Sequence, residues 1–445
     1  MREIQKQSAA KDLLLFSIPL VLSGVLHQLY NWADAFIVGH AEGDLALAAV
    51  GATAALVGFL LKLISGFTLG LSIFAAQQYG KQQYNTITRI LSTFLLIFGS
   101  AYILLCSAGV IWAREILLLL DTPTDILPQA LIYFRIVLIG MPFMMVYNIY
   151  AALLRAMGDS KVSLTATTIS SAVNVLLDII LVVFLPFGVG GAAVATVISQ
   201  IAMTIFVVIY SRRKYHLIRL PLKSKWIDRS VVLPGLALGT PPAVQFATLS
   251  FGNLILQNFM NGFGTATVLA ITTAYRVDSI LLLPVTNLSA AISTMTAQAA
   301  GAEDRYRMKQ YALNGMVLMG SVSILSAVAM YLCGGWLIAL FGVSQEALAI
   351  GQGFFRDVAA FYIFFGLASG IRGSLEGIGD MKYSSFIGIA FLVARILLSY
   401  LLENSMNVRA IAYAEGFAWI FMLVLSLLRV LQKRKCLGFC QSNNE

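Results

Sequence analysis

Gly158-Asp159-Ser160-Lys161 returns 221 residues later as Gly379-Asp380-Met381-Lys382. The same separation carries Phe134-Arg135 onto Phe355-Arg356, and Gln77 and Gly80 onto Gln298 and Gly301. It holds without a gap from about residue 45 to residue 161, the mark of an internal duplication. One period spans six long apolar runs, so the duplicated unit is a set of six helices.

The composition says what surrounds those helices. Of 445 residues, 59% are hydrophobic and 11% charged, against about 25% charged in an ordinary soluble domain. A bilayer core about 30 Å thick needs roughly 20 apolar residues per helix. The apolar runs predict spans at 13–39, 45–79, 88–112, 126–156, 162–186 and 189–211, then at 231–256, 264–300, 308–335, 347–378, 383–402 and 407–430. The first run is too long for a signal peptide and shows no small-residue cleavage site, so it is expected to stay as the first helix. The net charge of +9 does not point to nucleic acid, because the basic residues lie between apolar runs rather than on one face with interleaved aromatics. Cys106, Cys333, Cys436 and Cys440 show no paired metal spacing, and no disulfide or metal site is expected from them.

The expected fold is therefore an all-α polytopic membrane protein. About 12 transmembrane helices form two parallel six-helix repeats, as two bundles around a central cleft. Six is even, so the halves enter the membrane in the same orientation and are related by an axis along its normal. The expected divisions are 1–211, a basic linker 212–230, a second bundle 231–432 and a tail 433–445. Arg2, Lys6, Lys11, Lys81, Arg89, Lys161, the 212–229 cluster, Arg305, Arg307, Lys309 and Lys382 share one side, and only Arg114 and Arg409 take the other. By the positive-inside rule both termini are cytoplasmic and the chain sits in the inner membrane. Pro19 in the first helix and Pro241-Pro242 in the seventh stand at nearly equivalent places, where proline would bend each helix.

Charges within the spans sort by the repeat. Arg135 and Arg356 occur in both halves and suit a structural role near the outer interface; Asp159 and Asp380 recur in short turns. Asp34 and Asp178 have no counterparts, facing Ile255 and Ser399 at the same separation, while Asn174 becomes Arg395. Both acids fall in the outer half of the membrane. Asn174 precedes Asp178 by one turn, Asn31 lies on the face of Asp34, and Thr196 and Tyr133 fall at comparable depth. Two carboxylates in one desolvated cavity cannot both ionise cheaply, so the pair is expected to hold a proton, or equally a sodium ion on its oxygens. The structural alternative is salt bridging to Lys62 or Arg135. In the second half Arg276 with Asp278, and Arg356, Asp357, Arg395 and Glu415, are nearly balanced and read as internal pairs. Gly66 and Gly70 form a small-residue spacing suited to close helix packing.

Gln28-Leu29-Tyr30-Asn31-Trp32-Ala33-Asp34 with Val38-Gly39, the Gly158-Asp159 turn and the Asn174/Asp178 pair resemble the multidrug and toxic compound extrusion family over essentially the whole chain. The resemblance implies cation coupling at Asp34, Asn174, Asp178, Thr196 and Tyr133. It also implies export of amphipathic, cationic organic compounds in exchange for inward H+ or Na+ by rocking-bundle alternating access. One subgroup places sodium in the second half, using a glutamate of the seventh helix. That helix has no acid here, only Gln245 and Thr248, which moves the expected site to the first half. Gln28, Asn31, Asp278, Gln245, Met141 and Met145 are the candidate substrate-cavity residues.

No cofactor is implied; the partners are a small organic substrate and the bilayer, and the chain is expected to be monomeric. The alternative is a flippase of a lipid-linked or other anionic cargo on the same fold, for which Arg276 and Arg395 would supply positive charge. An enzyme is not expected, because His27, His40 and His216 form no catalytic spacing.

Overall fold

A computed structural model describes residues 8–185, 187–215 and 227–433. The first half comprises α1 (Ala9–Glu42), α2 (Asp44–Gly80), α3 (Tyr84–Ile111), a short α4 (Ala113–Leu119), α5 (Leu127–Ala156), α6 (Lys161–Asp178) and α7 (Gly188–Lys214). The second comprises α8 (Arg229–Asn261), α9 (Thr265–Leu281), α10 (Leu283–Gly301), α11 (Arg305–Ala339), α12 (Gln345–Ala359), α13 (Tyr362–Gly377), α14 (Met381–Met406) and α15 (Ala410–Lys433). No strand occurs among the described residues. Much of the linker and all but the start of the tail lie outside them.

Nine helical stretches among the described residues are long and apolar enough to cross a membrane, and eleven if α9 with α10 and α12 with α13 each count as one bent span. One of the nine, Met381–Lys433, is 53 residues long and holds two helices. Asp380 bonds Arg429 and Arg395 bonds Glu415, which is the pairing of an antiparallel hairpin. That stretch is two crossings, and the twelve expected spans are accounted for.

The duplication is written in the backbone. Every described residue with positive φ has a partner in the other half: Gly43 with Gly264, Gln82 with Glu303, Asp121 with Gly342 and Gly158 with Gly379, all 221 apart. These are the turns between helices, where the left-handed conformation reverses the chain. The fifth pair, Gly188 with Asn407, is 219 apart. The first half thus uses two more residues than the second between its last two such turns. Directly after Asp178 the chain winds as a π-helix from Ile179 to Phe184, a wider turn that absorbs inserted residues. No π-helical segment interrupts α14.

The second half departs from its copy in two breaks. α9 and α10 meet at 42°, where Pro284 in the first turn of α10 lacks the N–H that a continuous helix would need. α12 and α13 meet at 55° without a proline. Tyr362, the first residue of α13, hydrogen-bonds Asp278 in the last turn of α9, so the two breaks are tied together.

By packing, the chain divides into one unit from Leu22 to Gly239 and another comprising the residues up to Val21 with those from Thr240 onward. The packing units thus divide α1 at Val21/Leu22 and α8 at Gly239/Thr240, whereas the expected linker at 212–230 lies between α7 and α8. Leu13, Phe16 and Leu20 of α1 pack into the second unit beside Val285, Leu288, Met308 and Met319, and Tyr311 donates to Asp12 at 3.2 Å. The start of α8 packs in the first unit through glycine. Gly235 lies against Phe94, Gly239 against Phe67, and Gly70 of α2 against the backbone of Leu238 and Gly239. The two crossing points fall beside Pro19 and beside Pro241-Pro242.

The recurrent Gly-Asp turns are anchored alike. Asp159 accepts from Lys214 at 2.8 Å, Tyr210 at 2.8 Å and Tyr215 at 3.0 Å, and Asp380 accepts from Arg429 at 2.6 and 3.1 Å. In each half the final helix thus grips the turn after the fourth span. Burial pushes the Asp159 carboxyl up, but the bonds from Lys214 and the two tyrosines outweigh it and hold the group below its ordinary value.

Candidate functional site

The first unit brings Asp34 of α1 against Asp178, the last residue of α6. Close packing of α5 with α7 shapes the surroundings: a Cβ on Gly140 would lie 2.6 Å from Val197, so only glycine lets these helices approach. Tyr133 of α5, at 9% exposure, sits in an apolar layer with Val38, Val137, Val182 and Val189.

The two carboxyl groups lie within hydrogen-bonding reach of each other, with the phenols of Tyr30 and Tyr133 close enough to feel both. Two ionised carboxylates are both acceptors, so neither can serve the other. Both oxygens of Asp178, Oδ1 of Asp34, and both polar atoms of Asn174 are buried without a hydrogen-bond partner, and Asn174 and Asp178 are 0% exposed. Buried polar groups are normally satisfied, and the four oxygens of this cluster are an unmet demand for a proton or a cation, while the Asn174 amide nitrogen is a donor that asks for an acceptor. The salt-bridge alternative is not realised. Lys62 is exposed, Arg135 donates to the Val110 carbonyl at 3.3 Å, and no ion pair among the described residues involves Asp34 or Asp178.

Thr196 of α7 is half-buried; its carbonyl accepts from Ser199, and no bond from its hydroxyl to the acid pair is formed among the described residues. Tyr30, one turn before Asp34, joins the site although sequence reasoning passed over it as part of a motif. Its spacing was the available signal.

The remaining candidates separate. Gln28 is half-buried and Asn31 exposed on α1, whereas Met141 and Met145 are 0% and 2% exposed inside the first unit. Gln245 and Asp278 belong to the second unit, where Gln245 accepts from Arg372 at 3.1 Å and Asp278 from Tyr362. Arg395 neutralises Glu415 at 3.1 Å and bonds the Tyr275 hydroxyl, so it offers no free charge to an anionic cargo. Arg276, paired by the sequence with Asp278, is exposed instead. Asp357 pairs with Arg409 at 2.7 Å, and Arg356 is exposed. The buried pair Arg372–Glu376, 3.7 Å apart on α13, escaped the sequence reading although its four-residue spacing was visible.

The MatE family profile matches residues 19–180 and again 241–401, one match in each copy of the repeat. The chain is 28% identical over 446 residues to the probable multidrug resistance protein YoeA of Bacillus subtilis, covering 97% of this chain and 96% of that one. It is 20% identical to the multidrug export protein MepA of Staphylococcus aureus, over 96% and 95% of the two chains. Among solved structures, a MATE protein in a bent conformation superposes with a TM-score of 0.90 at 20% identity, covering 97% of each chain. A multidrug resistance MATE family transporter in an outward-facing conformation gives 0.90 at 20% identity, covering 98% of each. With both halves matched and the twelve-span duplicated fold shared, the chain belongs to the MatE family of multidrug and toxic compound extrusion transporters, membrane carriers and not enzymes.

Proposed function

We propose that the protein is a secondary antiporter of the inner membrane, with both termini cytoplasmic, that exports amphipathic organic cations in exchange for inward H+ or Na+. The observation that carries this reading is the pair of Asp178, fully buried, and Asp34, half-buried with its Oδ1 enclosed, neither with a basic partner. A cation entering from outside neutralises the pair, supplies a partner to the oxygens of Asp178 and Asn174, and repacks α1 and α6 around it. The π-helical turn after Asp178 is a weak point at which α6 can rewind. Alternating access by rocking of the two bundles would follow, hinged where α1 and α8 pass between units beside their prolines.

The names of YoeA and MepA support drug-like cargo. Exchange of one inward cation for one outward monovalent cation moves no net charge, so the ion's concentration gradient must drive it. The experiment is efflux of a fluorescent organic cation from proteoliposomes under separately imposed proton and sodium gradients. Gradient-dependent efflux supports the reading, and efflux under neither gradient removes it.

A further inference from the structure

The second unit fills one polar site entirely with its own side chains. Arg372 donates to Gln245 of α8 and to Ser384 of α14, each at 3.1 Å, and Ser384 donates to Glu376 at 2.7 Å. Glu376 lies 3.7 Å from the guanidinium and balances it. The Gln245 amide presses on Gly388, where a Cβ would fall 2.1 Å from its nitrogen. Charge and volume are both met from within.

At the 221-residue separation the first unit has Ala151 for Arg372, Arg155 for Glu376, Ser163 for Ser384 and Thr167 for Gly388. Ser23 of α1 stands where Gln245 does, since its hydroxyl bonds that of Thr167 at 2.8 Å and the Ser163 carbonyl at 3.3 Å. The central charge is therefore reversed and its built-in partner deleted. Two long side chains, Gln245 and Arg372, are reduced to a serine and an alanine, so neither supplies the guanidinium with an acceptor. Arg155 makes no side-chain hydrogen bond or ion pair with any described residue. Tyr147, two turns earlier on the same helix, has its hydroxyl beside Ser163 and Thr167 and feels the Arg155 charge. No bond of acceptable geometry reaches the Ser163 hydroxyl, which is buried in a residue 3% exposed. An arginine without a counter-ion in the last turn of α5 and a buried hydroxyl without a partner, at positions whose counterparts Glu376 and Ser384 are bonded in the second unit, both ask for the same ligand.

We propose that Arg155, Ser163 and Tyr147 form an oxyanion-binding site in the first unit. Its ligand is the carboxylate of a transported compound or the phosphate of an anionic lipid, and it supplies the counter-charge that the second unit builds in as Glu376. A planar guanidinium accepts either group through two parallel hydrogen bonds. The carboxylate form of the proposal rests on the export reading and extends it from organic cations to zwitterions.

The test is binding of rhodamine B, which carries a free carboxylate, and of rhodamine B methyl ester to the full chain. The protein is held in nanodiscs of phosphatidylcholine alone or mixed with phosphatidylglycerol. If the ligand is a compound's carboxylate, Arg155→Gln lowers the acid-to-ester affinity ratio by about tenfold or more, Ser163→Ala lowers it less, and Arg155→Lys retains part of it. If the ligand is a lipid phosphate, phosphatidylglycerol raises the melting temperature of the wild type, and Arg155→Gln loses that increment. An unchanged ratio together with an unchanged lipid increment in Arg155→Gln overturns the site. Ester binding by the wild type checks the export reading separately: its presence with an unchanged ratio sinks only the oxyanion site, and its absence removes the export reading and the carboxylate ligand together.

Discussion

Gly70→Ala is expected to destabilise the first unit at the contact of α2 with α8. A Cβ there would lie 2.2 Å from the Leu238 carbonyl oxygen and 2.4 Å from both the Leu238 carbonyl carbon and the Gly239 Cα. Ordinary carbon contacts are about 3.5–4.0 Å, and all three obstacles are backbone, so no side chain can swing away. The start of α8 must retreat by about 1 Å, and overpacking of this kind costs about 1–3 kcal/mol. For a unit of roughly 200 residues each kcal/mol is worth about 2–4 °C, giving a fall of about 2–12 °C in melting temperature. Gly58 in the same helix has nothing within 4 Å of its Cβ position. Gly58→Ala gains up to about 1 kcal/mol of helix propensity and should melt at or above the wild type. Heating detergent-solubilised protein and measuring the folded fraction by size exclusion reads both. A Gly70→Ala protein that melts no lower than Gly58→Ala would refute the close α2–α8 crossing.

Three further outcomes follow from the buried charges and the prolines. Asp159→Asn should cost about 2 kcal/mol at pH 7 by weakening the grip of Lys214. Because the folded Asp159 sits below its ordinary carboxyl value, that stability is full above about pH 4 and is lost as pH falls further, so wild-type and mutant melting curves should converge in acid. Glu415→Gln should destabilise by about 3–5 kcal/mol by stranding Arg395, while the double change Arg395→Met with Glu415→Leu should recover most of it in a thermal melt. Pro19→Ala restores a helical hydrogen bond where α1 passes between units, and should slow dye efflux several-fold without lowering the melting temperature.

The spans, the repeat and the acid pair were legible because each depends on local composition or on spacing along one helix. Asp34 and Asp178 stood out by lacking counterparts in the second half, and their meeting required only equal depth. The exchange of helix starts between units was not legible, because it depends on which core receives Leu13 and Phe16 and which helix Gly70 touches. The 42° break carried a local signal in Pro284; the 55° break carried none, since its anchor is the distant Asp278. Met141 and Met145, read as adaptable cavity lining, are 0% and 2% exposed, a degree of burial that hydrophobicity alone does not give. Arg276 and Asp278 are opposite in charge and only two positions apart, a spacing that on a helix makes them face different ways.

The most direct measurement of the central claim is gradient-driven efflux by Asp34→Asn and Asp178→Asn proteins beside the wild type, with equilibrium dye binding measured on the same preparations. The account predicts that both variants still bind dye but lose the response to the proton or sodium gradient that drives the wild type. Normal gradient-driven efflux by either variant would contradict it, and would make the buried acid pair a structural feature of the first unit.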